Sequence, residues 1–299
     1  MRRPVAPPLA LALAAAACLP ESRPPPGRAA FFVSAGPAAE AGSAFATADG
    51  WSITFASALF GGASTSFRDE EGDGCTEYYS RSVNVLYDLV PPGPKPVAYA
   101  AAEGTCLQAL FIEAMPAYGA LGPGVGAGAP ERLLEAAREA PAGAARPFAA
   151  MLVRGEAARG RERKAFAWPL FFDRYAAACA TDTGVFATEV NSEAEFEVTI
   201  EFRLERLFGD RLDPAAALRF EPFAAADADA DGSVTRAELA RVPLAGLAAA
   251  GGGYRDAPSV RGEPLVRPAP RGGVPTLADF LDAQAMLLPS QRGQSYCAP

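Results

Sequence analysis

The stretch EFEVTIEFRL at 195–204 alternates without interruption: Phe196, Val198, Ile200, Phe202 and Leu204 fall on one side, and Glu, Thr and Arg on the other. Successive side chains of a strand point to opposite faces, so this run can bury its apolar set together only as a half-buried β-strand. The same period recurs elsewhere. Trp51, Ile53 and Phe55 alternate with Ser52 and Thr54, and Val83, Val85 and Tyr87 repeat the pattern. CLQALFIEA from Cys106 is a further apolar run. MLVRGEAARGRERKAFAWPLFF reads as a hairpin turning near Gly160, with Pro169 at an edge or bulge because proline cannot donate to a ladder. Phe166, Trp168, Leu170 and Phe172 lie two apart in it, which predicts a core face rather than an aromatic box for a cofactor. Arg154, Arg159, Arg161, Arg163 and Lys164 gather about the hairpin tip and are expected to form a solvated turn.

Helical signals are fewer. PERLLEAAREA starts at Pro130, a residue suited to the first helical turn, and TLADFLDAQAMLL starts at Thr276, a capping residue, with Leu277, Phe280, Leu281 and Gln284 on one face. Glycine- and proline-rich connections separate these segments, notably GALGPGVGAGAP and the run from Ala248 to Gly273. Short strands with turn signals between them predict a mainly β fold, an antiparallel β-sandwich with a few short helices over one end.

Composition narrows the chemistry. A formal charge of −8 and a pI near 4.8 leave no basic face to neutralise phosphates, so nucleic acid is not expected as a partner. Histidine is absent, which removes Ser-His-Asp and Cys-His catalysis and any His-ligated metal. No GxSxG, Walker or dinucleotide-binding loop occurs.

The first seventeen residues, MRRPVAPPLALALAAAA, have the charged start, apolar stretch and small-residue end of a secretory signal, and are too short to span a membrane as a helix. Ala15-Ala16-Ala17-Cys18 is similar to a bacterial lipobox, so Cys18 is the expected lipidated N-terminus of the mature chain. Residues 18–45 then form a Pro-rich spacer and 46–299 the β-sandwich domain. Without Cys18 an even set remains, Cys75, Cys106, Cys179 and Cys297, expected as two disulfides in an oxidising compartment. Four cysteines allow three pairings. Adjacency of consecutive strands favours Cys75–Cys106, leaving Cys179–Cys297, with the other two pairings open.

One stretch is built for a ligand. DADADGSVTRAEL begins with Asp227, Asp229 and Asp231, follows them with Gly232, and carries Glu238 at the twelfth position. An EF-hand loop takes oxygen ligands from positions 1, 3, 5, 7, 9 and 12, with glycine at 6 for a sharp turn. Those positions here are Asp227, Asp229, Asp231, Ser233 through its carbonyl, Thr235 through water, and Glu238; apolar Val234 stands at position 8. Calcium is therefore the expected cofactor, because crowded carboxylates repel one another without a hard cation between them. Pro222 and Pro243 cut the flanking helices short, and no second loop follows in tandem, so calcium is expected to hold structure rather than to switch it. Asp69, Glu71, Asp73 and Gly74 imitate part of the pattern, but Thr76 and Ser80 stand at its eighth and twelfth positions, which favours a plain acidic turn.

GWSITF, GTCLQALFIE, VRGEAARGRERKAFAW, LERLF and RFEPFAAADADADGSVTRAELARVPL, between a lipobox-like start and a C-terminal cysteine, resemble uncharacterised calcium-loop lipoproteins of GC-rich Gram-negative bacteria over most of residues 50–297. The resemblance implies an exported β-rich domain with one EF-hand and offers no catalytic residue. The expected function is a non-enzymatic calcium-binding protein, anchored by lipid to the cell envelope, with the outer membrane as its expected site, and able to serve as a binding module for a protein or carbohydrate. The alternative is a calcium-stabilised hydrolase working through two carboxylates.

Overall fold

The computed structural model describes residues 26–61, 63–68, 75–112, 120–136, 138, 149–171, 174–177, 179–181, 184–185, 187–190, 195–212, 215–251, 254, 276–285, 287–291 and 296–297. The Cys18 and signal-sequence expectations, and the acidic turn at 69–74, lie outside these residues.

With strands numbered in chain order, the first sheet holds β1 (Gly27–Ala35), β4 (Ala63–Arg68), β5 (Thr76–Ser82), β7 (Lys95–Ile112), β11 (Arg174–Ala177), β14 (Ala187–Val190), β15 (Glu195–Phe202) and β17 (Pro289–Gln291). Its path runs β11-β7-β1-β15-β17, and the long β7 also pairs with β4, β5 and β14. The second sheet holds β2 (Phe45–Ala46), β3 (Ser52–Gly61), β6 (Val85–Asp88), β8 (Ala120–Leu121), β9 (Met151–Arg159), β10 (Glu162–Leu170) and β16 (Ser233–Val234), in the order β16-β10-β9-β3-β6-β8 with β2 on β3. A third, small sheet joins β12 (Cys179–Thr181) to β13 (Gly184–Val185) and β18 (Tyr296–Cys297). The helices are α1 (Ala129–Ala136), α2 (Glu221–Ala224), α3 (Arg236–Leu239), α4 (Leu244–Gly251) and α5 (Leu277–Ala285).

The architecture is a β-sandwich, and the alternation read from the sequence sets its inner faces. Val198, Ile200 and Phe202 of β15 and Phe31 and Val33 of β1 meet Ile53 and Phe55 of β3, Trp51 just before it, and Phe166 and Trp168 of β10 in one core. Rings of Phe60 and Phe202 cross between the sheets at 5.0 Å. Phe208, in the 3-10 turn Leu204–Phe208, fills one end and lies about 6 Å from the rings of Phe55, Phe166 and Trp168 and from Phe220 and Phe223 at α2. Gly155 sits where β9 crosses under Phe166: a Cβ there would meet the Phe166 ring and the Thr54 carbonyl, each at 2.4 Å, so only glycine lets the strands close.

Two expectations change. The sheets are mixed rather than purely antiparallel, because β1 runs parallel to β15, β6 to β8, and β10 to β16. The residues from Gly27 to Ala35 are not spacer. They form β1, which pairs with both β7 and β15 and buries Ala29, Phe31, Val33 and Ala35. Alanine at two of its five inward positions and glycine at a third hid the alternation beside the proline-rich stretch.

The hairpin of β9 and β10 turns at Gly160, whose φ is +61°. Pro169 pairs with Leu152 on one side and faces the outer edge of β10 on the other, beyond the two residues that pair with β16. At the start of α5, Thr276 accepts from the Asp279 N–H and donates to its carboxylate, the cap expected from sequence with aspartate as its closing residue.

Candidate functional site

The segment 227–238 leaves the aromatic core through α2 and returns to it through α3. Asp49 fixes the entry. Its Oδ2 accepts from the backbone N–H groups of Phe220 at 2.9 Å and Glu221 at 2.8 Å, satisfying donors that a helix start otherwise leaves open. Phe220 and Phe223 are fully buried against Trp51 and Trp168, so the helix before the loop is anchored although it is one turn long.

The loop winds tightly. Ala230 has a φ of +57° and Gly232 of +84°, two left-handed residues two apart. Glycine adopts this conformation freely, while alanine costs about 1–2 kcal/mol. The result is a concave arc of carboxylates: one oxygen each from Asp227, Asp229 and Asp231 lies within 4.8 Å of the others. Asp231 Oδ1 accepts from the Ser233 N–H at 2.6 Å, and Asp229 Oδ1 from the Asp231 N–H at 3.2 Å.

Asp227 is the innermost ligand candidate. Its side chain is 0% exposed. Oδ2 accepts from the Lys164 ammonium at 2.6 Å and from the Gly232 N–H at 3.1 Å. Oδ1 is buried with no hydrogen-bond partner among the described residues. The Lys164 contact, before all else, holds the Asp227 carboxyl below the usual range and raises Lys164 above its own.

Glu238 stands beside this trio rather than inside it. Its Oε2 accepts from the backbone N–H and the hydroxyl of Thr235, both at 2.8 Å, and its Oε1 accepts from the Ala228 N–H at 2.9 Å. Thr235 in turn caps α3, so Thr235 and Glu238 form a capping box. These hydrogen bonds, the Thr235 N–H first, hold the Glu238 carboxyl below the usual range. A carboxylate has about four lone-pair sites, so Oε1 retains one for a cation while Oε2 would exchange its hydroxyl partner.

The sheet takes the place of a second loop. Ser233 and Val234 form β16, paired in parallel with Ala165 and Phe166 of β10, and the Ala165 N–H donates to the Gly232 carbonyl at 2.8 Å. Val234 is fully buried, and its carbonyl accepts from the Trp168 indole N–H at 2.8 Å. The apolar eighth position thus clips the arc to a rigid edge.

Sequence reasoning missed the groups that hold this arrangement. Lys164, expected on the solvated hairpin tip, instead points inward, 13% exposed. At the tip, Arg159 pairs with Glu162 and Glu221, and Arg163 with Glu156. Composition carried one signal, since Lys95 and Lys164 are the only lysines in a chain whose other basic residues are arginine. Behind the loop, Arg236, 4% exposed, donates to both oxygens of Asp282 on α5, at 3.0 and 2.5 Å, and to the Pro169 carbonyl at 3.2 Å.

The cysteines fall on ladders. Cys179 of β12 is directly opposite Cys297 of β18. Cys75 directly precedes Thr76, which pairs with Glu103 of β7, the strand that also contains Cys106.

What the fold and the site define is a β-sandwich in which, among the described residues, one acidic loop is clipped to a sheet edge. No protein-family model, curated protein or solved structure matches the chain.

Proposed function

We propose that this chain is an exported, non-enzymatic calcium-binding protein, anchored to the cell envelope through lipid on Cys18, in which calcium is a structural ligand of residues 227–238. The observation that carries the calcium reading is the fit of the donors. Three carboxylates converge within 4.8 Å, and the buried Asp227 Oδ1 has no partner among the described residues to satisfy it. Such an oxygen is costly to bury alone and is matched by a hard cation that accepts six to eight oxygens. Asp227, Asp229, Asp231 and Glu238 would hold the ion through carboxylates, with the Ser233 carbonyl and a water on Thr235 completing the set. Calcium would supply charge neutralisation and cross-linking of the loop, without chemistry of its own.

Short helices support a staple. α2 and α3 span four residues each, too little to act as levers, and β16 is tied to the sheet. Linkage then predicts that calcium at ten- to a hundredfold above its dissociation constant stabilises the fold by about 1.4–2.7 kcal/mol. Chelation is expected to lower the melting temperature by several degrees and to leave the circular dichroism of the folded state unchanged. New binding of a hydrophobic dye to the folded protein on adding calcium would contradict this and mark a sensor.

The covalent part of the proposal is tested separately. Fatty-acid labelling of cells should mark the wild type and not Cys18→Ala; equal labelling would remove the lipid anchor. Directly opposed strand residues have Cα atoms about 4.5–5.5 Å apart, inside the range a disulfide spans. A non-reducing peptide map should therefore show the directly opposed Cys179 and Cys297 linked and, by exclusion, Cys75 joined to Cys106, and a Cys75–Cys179 link would refute the pairing.

A further inference from the structure

Lys164 and the ion proposed for the loop would draw on the same oxygen. The ammonium donates to Asp227 Oδ2 at 2.6 Å, and Asp227 is the most buried member of the carboxylate trio. Lysine is suited to such a role: its charge is a compact point on a flexible stem, whereas the planar arginine fork, used almost everywhere else in this chain, needs more room. The lysine backbone cannot withdraw, because the neighbouring Ala165 is bonded to Gly232 and paired with Ser233. Only the side chain can move.

We infer that Lys164 is a tethered counter-ion that keeps the apo loop folded and competes with calcium for Asp227, so that metal binding is an exchange of one cation for another. The inference rests on the calcium reading of the loop. Two consequences follow from charge balance. Without calcium, removing the ammonium leaves a fully buried carboxylate with no cation beside it, and the fold loses stability. With calcium, the same removal abolishes a competitor, and affinity rises. A lysine that merely packed beside the loop would show the first effect in both conditions and the second in neither.

The test uses the soluble chain beginning after Cys18, with Lys164→Met and Lys164→Arg compared to the wild type by calorimetric titration with Ca²⁺ and by melting in chelator and in excess calcium. Lys164→Met should bind calcium about tenfold more tightly, because no ion pair with Asp227 has to be broken on binding. It should melt below the wild type in chelator, and the deficit should vanish in calcium. Lys164→Arg, which keeps the charge, should bind calcium close to the wild-type affinity. Unchanged affinity in Lys164→Met, with an equal melting deficit in both conditions, would overturn the exchange while leaving the calcium site intact. Absence of calcium heat in the wild type and in Lys164→Met alike would overturn the calcium reading itself, and the exchange with it.

Discussion

Arg236→Met is expected to cost about 3–5 kcal/mol of stability at pH 7.5, measured by urea denaturation, because it strands Asp282. Arg236 is buried, meets both Asp282 oxygens, and lays its guanidinium over the Phe171 ring at 4.9 Å. Asp282 has one further partner, the Phe171 N–H at 3.0 Å. Burial pushes the Asp282 carboxyl up to about 6 even with Arg236 opposing the shift. An acid whose folded pKa lies above its unfolded value stabilises the fold fully below the unfolded pKa, and that contribution is lost as pH rises through the folded pKa. For the wild type the window therefore runs from about 4 to about 6. Without Arg236 the carboxyl rises further, so it protonates nearer neutrality in the folded state. The deficit of the variant should shrink between pH 7.5 and pH 5, and Asp282→Asn added to Arg236→Met should recover much of it at pH 7.5. A loss below about 1 kcal/mol, typical of an exposed pair, would show that the pair is not desolvated.

The pair also explains why a loop with one-turn flanks is held rigidly. Arg236 is the first residue of α3, directly after the acidic arc, and it ties that helix to α5 and to the carbonyl of Pro169 on β10. Asp49 does the same at the other end by capping α2. The loop is thus fixed at both ends, by Asp49 between β2 and β3 and by Asp282 on α5.

Local patterns made much of this legible. Period two placed Trp51, Ile53 and Phe55 inward, the left-handed Gly160 marked the hairpin, and the spacing from Asp227 to Asp231 brought three carboxylates together. Features set by distant contacts were not legible. Lys164 and Asp227 are 63 residues apart, and Arg236 and Asp282 are 46 apart, so nothing in either neighbourhood announces the other. The parallel pairing of β1 with β15 joins strands separated by most of the chain, and its alanines weaken the one local signal. Position alone marks Glu238 as a ligand, while its local chemistry with Thr235 also makes it a helix cap. Both roles fit the same twelve-residue spacing, and sequence gives no way to rank them.

Glu238→Gln separates those roles, because glutamine keeps the shape and one acceptor oxygen for the Thr235 N–H of the cap, while it replaces the oxygen that accepts from the Ala228 N–H with an NH2 and removes the charge. The expected loss is large: a bidentate carboxylate is the only ligand of the loop that supplies two oxygens to the ion. Calorimetric titration of the wild-type soluble chain with Ca²⁺ should give one equivalent of bound ion, and the same titration of Glu238→Gln should give no measurable heat. One equivalent bound by Glu238→Gln with wild-type affinity, or no binding by the wild type, would contradict calcium as the ligand of residues 227–238.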